Sequence, residues 1–378
     1  MRLSARSTAI AVALSLLTVA AAGRAQAAEI VVKIGVALSM TGPAAVYGAS
    51  QKAGVQAAVD EINKSGRLKG IKLEAVFEDD ASTKEQGIAV FQRFINKDKV
   101  AAIIGPTLSN TATAADPLAQ AGKVPVVAVS NTAPKGITDI GDYIWRVSLT
   151  EGQVIPGALK RLQNKLHFKK AAVLYGNDDA FTQAGFAVMK AALNASGTTI
   201  VGTQTFAKPD RDYNAQLTAL KALAPDILLV SALADNAAGI VTQARQLGWK
   251  VPIMGGNGFN SPALIKNAGP AAEGVFVGTA WNKVSSDGAN QAFLKLMKDR
   301  SVDPDQFCAQ AYTGVLVIAE AIVLAGNKAG RDNIRAGFAK VKGLATPLGL
   351  FSFQANRDGD HEPALQSVKE GKFQIVAP

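Results

Sequence analysis

The chain is poor in the residues that do chemistry. One cysteine and two histidines stand in 378 residues, and aromatic side chains make up only 6%. That scarcity excludes a disulfide-stapled fold and a zinc site built from four such ligands. No Gly-x-Gly-x-x-Gly follows a strand candidate, no phosphate-loop Gly-Lys-Ser/Thr occurs, and no Gly-x-Ser-x-Gly nucleophile elbow is present. The longest basic run is Lys169-Lys170, without the aromatic interleaving of a nucleic-acid groove. Low-complexity tracts and Pro- or Ser-rich linkers are also missing.

What is present is an apolar fraction of 48%, which excludes a disordered chain, and a length that supports two domains of ordinary size. The net charge is +10. Part of it belongs to residues 1–27, where Arg2 and Arg6 precede an uncharged apolar run from Ser7 to Ala22 and Ala25-Gln26-Ala27 offers small residues for cleavage. This reads as a secretory signal peptide, too short and too Ala-rich in its apolar run for a membrane anchor. Removal of Arg2, Arg6 and Arg24 leaves a net charge of +7, and the product is expected to be soluble and exported.

From Glu29 onward short β-branched runs alternate with helix-length amphipathic stretches. VVKIGVALS, KLEAVFEDD, VAAIIGPT and VPVVAVSN carry apolar residues at consecutive positions, the mark of parallel strands buried on both faces. Helices are predicted between them at about 48–63, 83–96 and 110–121. The rhythm then restarts with KKAAVLYGN, TTIVGTQTF, DILLVSA and VPIMGG, separated by helices near 181–195, 212–222 and 236–247. After GVFVGTA come helices near 288–300, 306–325 and 331–340, the second apolar along much of its length and so a core helix. Short strands end the chain. The fold class is α/β, with two doubly wound parallel-sheet lobes that share a cleft.

In an open parallel sheet, ligands bind beyond the carboxyl ends of the strands, at helix N-termini. Two loops there are rich in hydroxyls: Pro106-Thr107-Leu108-Ser109-Asn110-Thr111 and Ser130-Asn131-Thr132-Ala133-Pro134. Together they form a candidate carboxylate site, although Ser, Thr and Asn in such places also serve as helix N-caps. His167, before a strand, and His361, in the turn Asp358-Gly359-Asp360-His361, read as loop or surface residues. Cys308 reads as a small core residue. The Asp-Gly-Asp turn is too short for a calcium loop. No catalytic, cofactor or metal site is expected.

KIGVALSMTGPAAVYG, GVQAAVDEINKSGRLKGIKLEAVFEDDAS, IIGPTLSNTATAADPLA, VPVVAVSNTAP, YIWRVSLTEGQ, DILLVSALADNAAGIVTQARQLGW, NAGPAAEGVFVG and AYTGVLVIAEAI occur in that order. With them, from about Ile30 to the end, the chain resembles the periplasmic solute-binding proteins of ABC importers for branched-chain amino acids, the leucine/isoleucine/valine-binding type. The resemblance implies the type I periplasmic binding protein fold, with two lobes joined by three crossovers. It places the first lobe at 28–149 and 281–346 and the second at 150–280 and 347–378. It also implies a periplasmic monomer that captures an amino acid or related small carboxylate and delivers it to an inner-membrane permease with its ATPase. Nucleic acid is not expected as a partner.

By the same resemblance Ser109, Ser130 and Thr132 match the family's carboxylate-binding positions, Tyr47 the aromatic that covers the ligand, and Phe181 and Phe307 further aromatics of the pocket. Two positions depart from the pattern. Asn257 stands where the family has a Glu for the ligand's amino group, and Leu233 where it has an aromatic. Either another carboxylate, with Glu151, Asp179 and Asp235 as candidates, replaces the missing Glu, or the ligand is an aromatic or keto acid without an ammonium. A periplasmic sensor acting through a membrane partner is the other class of function the sequence allows.

Overall fold

The computed structural model describes residues 29–376. The expected signal peptide lies outside them. Five parallel strands make the first sheet: β1 (Ile30–Leu38), β2 (Ile71–Asp79), β3 (Ala102–Ile104), β4 (Val126–Ala128) and β5 (Ile144–Arg146), in the order β2-β1-β3-β4-β5. Helices α1 (Ala45–Ser65), α2 (Lys84–Arg93) and α3 (Ser109–Ala121) connect the first four. The consecutive apolar residues of these strands serve two cores. Val32, Ile34, Val36 and Leu38 face one buried cluster, while Ala37, Ile103, Val126 and Ala128 face another.

The chain then passes through residues 147–150 into α4 (Glu151–Leu166) and the second lobe. Here β6 (Lys170–Gly176), α5 (Ala180–Ala195), β7 (Thr199–Phe206), α6 (Asn214–Ala222), β8 (Ile227–Ser231), α7 (Ala234–Gln246), β9 (Ile253–Gly255), α8 (Pro262–Ala268) and β10 (Phe276–Thr279) follow. The parallel order β7-β6-β8-β9-β10 repeats that of the first sheet strand for strand. The loops after β3 and β4 therefore have counterparts after β8 and β9. Sequence reading passed over α4, although its start carries a capping box in which Thr150 and Gln153 satisfy each other's backbone N–H.

The chain crosses back near residue 281, and α9 (Gly288–Asp299), α10 (Gln306–Leu324) and α11 (Arg331–Phe338) complete the first lobe. Helix α10 is apolar enough to span a membrane by length and composition, yet most of it is buried against α1 and the first sheet. A small antiparallel sheet of β11 (Leu344–Thr346), β12 (Gly349–Phe353) and β13 (Gly359–Asp360) follows. Its Leu348, Phe351 and Phe353 pack in the first lobe's core with Trp145 and Phe338. The boundary expected at 346/347 thus falls inside a hairpin of the first lobe. The chain reaches the second sheet only at β14 (Ala364–Lys369), which with β15 (Lys372–Ile375) extends it antiparallel beyond β10. Two sheets of the expected class, linked by three passages, are the architecture.

Two smaller readings change. The ring nitrogens of His361 are buried rather than on the surface, and burial pushes its pKa down to about 4. Asp358, in the same turn, pairs with the buried Arg146.

Candidate ligand-binding cleft

The carboxyl ends of the two sheets face each other, and four equivalent loops enclose a cavity between them. Its wall is built from Tyr47 at the start of α1, Thr107, Leu108 and Ser109 after β3, and Ser130 and Thr132 after β4. Opposite stand Phe181, Leu233, Asn257 and Gly258 of the second lobe, with Phe307 of α10. Seven of the eight sequence-predicted residues thus line one cavity. The eighth, Glu151, lies behind Thr132 and Asn257. Of the other candidate carboxylates, Asp179 caps α5 and pairs with Lys208, and Asp235 is exposed on α7. Sequence reasoning had no role for Gly258, whose lack of a side chain lets the loop pass Ala232 and Phe181.

Helix α3 opens toward the cavity. Its N-cap is Leu108, which makes no side-chain hydrogen bond, so Ser109 is not spent on capping and the first N–H groups of the helix lack a side-chain partner. Helix α7 also opens there with Leu233 at its N-cap, but its first N–H, that of Ala234, donates to the Tyr47 hydroxyl. Two helix N-termini thus converge on one buried space, which suits an anion.

The hydroxyls are not equivalent. Ser130 Oγ donates to Thr107 O at 2.6 Å and accepts from Gln51 Nε2 at 2.7 Å. Thr132 Oγ1 donates to Glu151 Oε1 at 3.2 Å. Ser109 Oγ accepts a long bond of 3.4 Å from Ala133 N and donates none among the described residues. Of the three, Ser109 keeps its proton for a ligand, whereas Thr132 turns lone pairs to the cavity.

Asn257 is likewise committed. Its Nδ2 donates to Glu151 Oε1 at 3.1 Å, and its Oδ1 accepts from Gln306 Nε2 at 3.0 Å. The Gln306 Oε1 in turn accepts from Thr279 Oγ1 and Ala280 N, where the chain leaves the second lobe. A continuous buried chain of bonds, Thr132 to Glu151 to Asn257 to Gln306 to Thr279, therefore joins both lobes and one of the passages between them. Burial pushes the Glu151 carboxyl up to about 7, against bonds from Asn257 and Thr132 that favour its ionised form.

Tyr47 crosses the cleft directly. Its hydroxyl donates to Gly258 O at 2.8 Å and accepts from Ala234 N at 2.6 Å, while its ring packs 4.4 Å from Phe307. With this contact made, the cavity measures only about 20 Å³, close to what one water requires. An amino-acid-sized molecule enters only if Tyr47 or the lobes move. From behind, the fully buried Arg146 donates to Asn131 O and Ala133 O and pairs with Asp358 at 2.7 Å, fixing the loop that carries Thr132.

The comparisons with known proteins agree with this fold. The chain is 29% identical over 329 residues, 86% of its length and 87% of the relative's, to a leucine-, isoleucine-, valine-, threonine- and alanine-binding protein of Pseudomonas aeruginosa. It superposes with a TM-score of 0.84 and 27% identity on a branched-chain amino acid transporter substrate binding protein from Streptococcus pneumoniae solved with isoleucine, covering 92% of this chain and all of the other. A solute binding protein of an ABC transporter from Rhodopseudomonas palustris, solved with p-hydroxybenzoic acid, superposes at 0.82 and 25% identity, covering 91% and 95%. The family model for periplasmic binding proteins matches residues 31–372, nearly the whole described chain. Two lobes of duplicated topology around a buried, anion-suited cleft are thus accompanied by the matching sequence, and the chain belongs to the periplasmic binding protein family.

Proposed function

We propose that this chain is the exported substrate-binding component of an ABC importer. It captures a branched-chain amino acid or a related small carboxylate between its lobes and delivers it, as a monomer, to an inner-membrane permease with its ATPase. The observation that carries this reading is the uncapped N-terminus of α3 with the free Ser109 proton, set opposite an apolar wall of Phe181, Leu233 and Phe307. One end holds a carboxylate and the other a hydrocarbon body. The ligands in the names and titles of the relatives support the same class, and the signal-like N-terminus supports a periplasmic location. A binding role rather than catalysis is supported by the relatives, which are named as binding proteins.

A second ligand class is favoured by one observation. Asn257 supplies no charge where the family holds the amino group, and a neighbour of this fold was solved with an aromatic acid. Calorimetry against branched-chain amino acids, their 2-oxo acids and benzoates tests both. Ser109→Ala is expected to weaken every carboxylate by about tenfold or more, as loss of a charge-assisted bond requires, and Ser130→Ala by less. Equal affinities in wild type and Ser109→Ala would remove Ser109 from the site.

A further inference from the structure

Glu151 is an anomaly in the cleft. The residue is 1% exposed, and its Oε1 accepts three bonds, from Asn257 N at 3.3 Å, Asn257 Nδ2 at 3.1 Å and Thr132 Oγ1 at 3.2 Å. Its Oε2 is buried with no hydrogen-bond partner among the described residues and is pressed against Gly256. The groups that face it are Thr132 from the loop after β4 and Gly256 and Asn257 from the loop after β9, where Ile155 of its own helix also packs against Gly256. Among the described residues it forms no ion pair, and burial with the bonds from Asn257 and Thr132 accounts for its shift. An unpaired buried carboxylate is costly, so the site as built is short of a positive charge.

The cavity is where that charge fits. Thr132 lines it, gives its proton to Glu151 and so offers an acceptor to whatever stands in front of it. A ligand N–H bonded to Thr132 Oγ1 would be one hydroxyl removed from Glu151, within the ~4–6 Å over which opposite charges act strongly.

We propose that Glu151, acting through the Thr132 hydroxyl, is the positioning residue that makes this cleft prefer a carboxylate carrying an adjacent ammonium over one of the same shape without it. The inference rests on the reading of the cleft as a small-carboxylate site. It assigns the selection for charge to α4 instead of the loop after β9, where Asn257 is neutral and already bonded on both sides. The ionised Glu151 attracts an ammonium and repels a bare carboxylate. Protonation removes both effects, so acidification moves the two ligand classes in opposite directions.

The test uses the mature protein, leucine and the 2-oxo acid of the same carbon skeleton, titrated by calorimetry at pH 8 and pH 6, where neither probe changes its charge. The wild type is expected to prefer leucine by about tenfold or more at pH 8. At pH 6 leucine weakens and the oxo acid strengthens. Glu151→Gln keeps an acceptor for Thr132 and Asn257 but carries no charge, and is expected to lose about tenfold of the preference together with its pH dependence. A purely structural role would weaken both ligands alike. The pH arm needs only the wild-type protein, so it stands even where the variant fails to fold. Parallel pH slopes for the two ligands, or an unchanged preference in Glu151→Gln with binding intact, overturn the role of Glu151 alone. Binding of neither probe at either pH overturns this inference, and failure of benzoates to bind as well overturns the carboxylate reading with it.

Discussion

A hydroxyl in a binding cleft is described by where its proton points. Ser109, Ser130 and Thr132 look alike in the sequence, and each could donate to a carboxylate. The partners that separate them are Gln51, Thr107, Ala133 and Glu151, at 19 to 79 residues' distance along the chain. Arg146 makes the same point for the backbone, because its counter-charge, Asp358, lies 212 residues away. Replacing Asp358 by Ala leaves the buried guanidinium without its ion-pair partner. A loss of about 3–5 kcal/mol in urea unfolding is expected, and a change under 1 kcal/mol would show that Arg146 finds other compensation.

Elements were more legible than contacts. Consecutive apolar runs announce the buried parallel strands, and hydrophobic periodicity marks most helices, since both follow from local spacing. The expected helix near 48–63 begins earlier, at Ala45, because Gly48 tolerates the close pass over Ser39 that a side chain would forbid. Short β5 and α8 gave no readable pattern, each with too few residues to show a period. The hydroxyl clusters were legible as a place on the sheet edge, but not as a site in preference to caps. Leu108 decides that point for the first cluster by holding the N-cap position itself, and no α-helix starts at the second.

The pairing of α1 with α10 depends on a glycine. A methyl group on Gly54 would collide with the carbonyl of Cys308. Gly54→Ala is expected to force the two helices apart and cost about 1–3 kcal/mol, read as a lower denaturation midpoint with an unchanged slope.

At the scale of the molecule, two copies of one strand order face each other, and closure is written into a few bonds across the gap. Tyr47 makes two of them. Tyr47→Phe leaves Ala234 N–H and Gly258 C=O without that partner and is expected to shift the ligand-free protein toward an open form. Small-angle scattering should then give a larger radius of gyration for the ligand-free variant, returning to the wild-type value at saturating ligand. Identical ligand-free radii would mean that other contacts hold the lobes together.

The Arg146–Asp358 pair also orders events in time. The strands β6 to β10 are contiguous in sequence, so the parallel part of the second lobe has its residues as soon as they leave the ribosome. The first lobe is interrupted by them. Its β5 carries a guanidinium that must be buried, while the carboxylate that neutralises it arrives 212 residues later. The first lobe is thus completed only after the parallel strands of the second, and the loop bearing Thr132 takes its final set only once Asp358 is available.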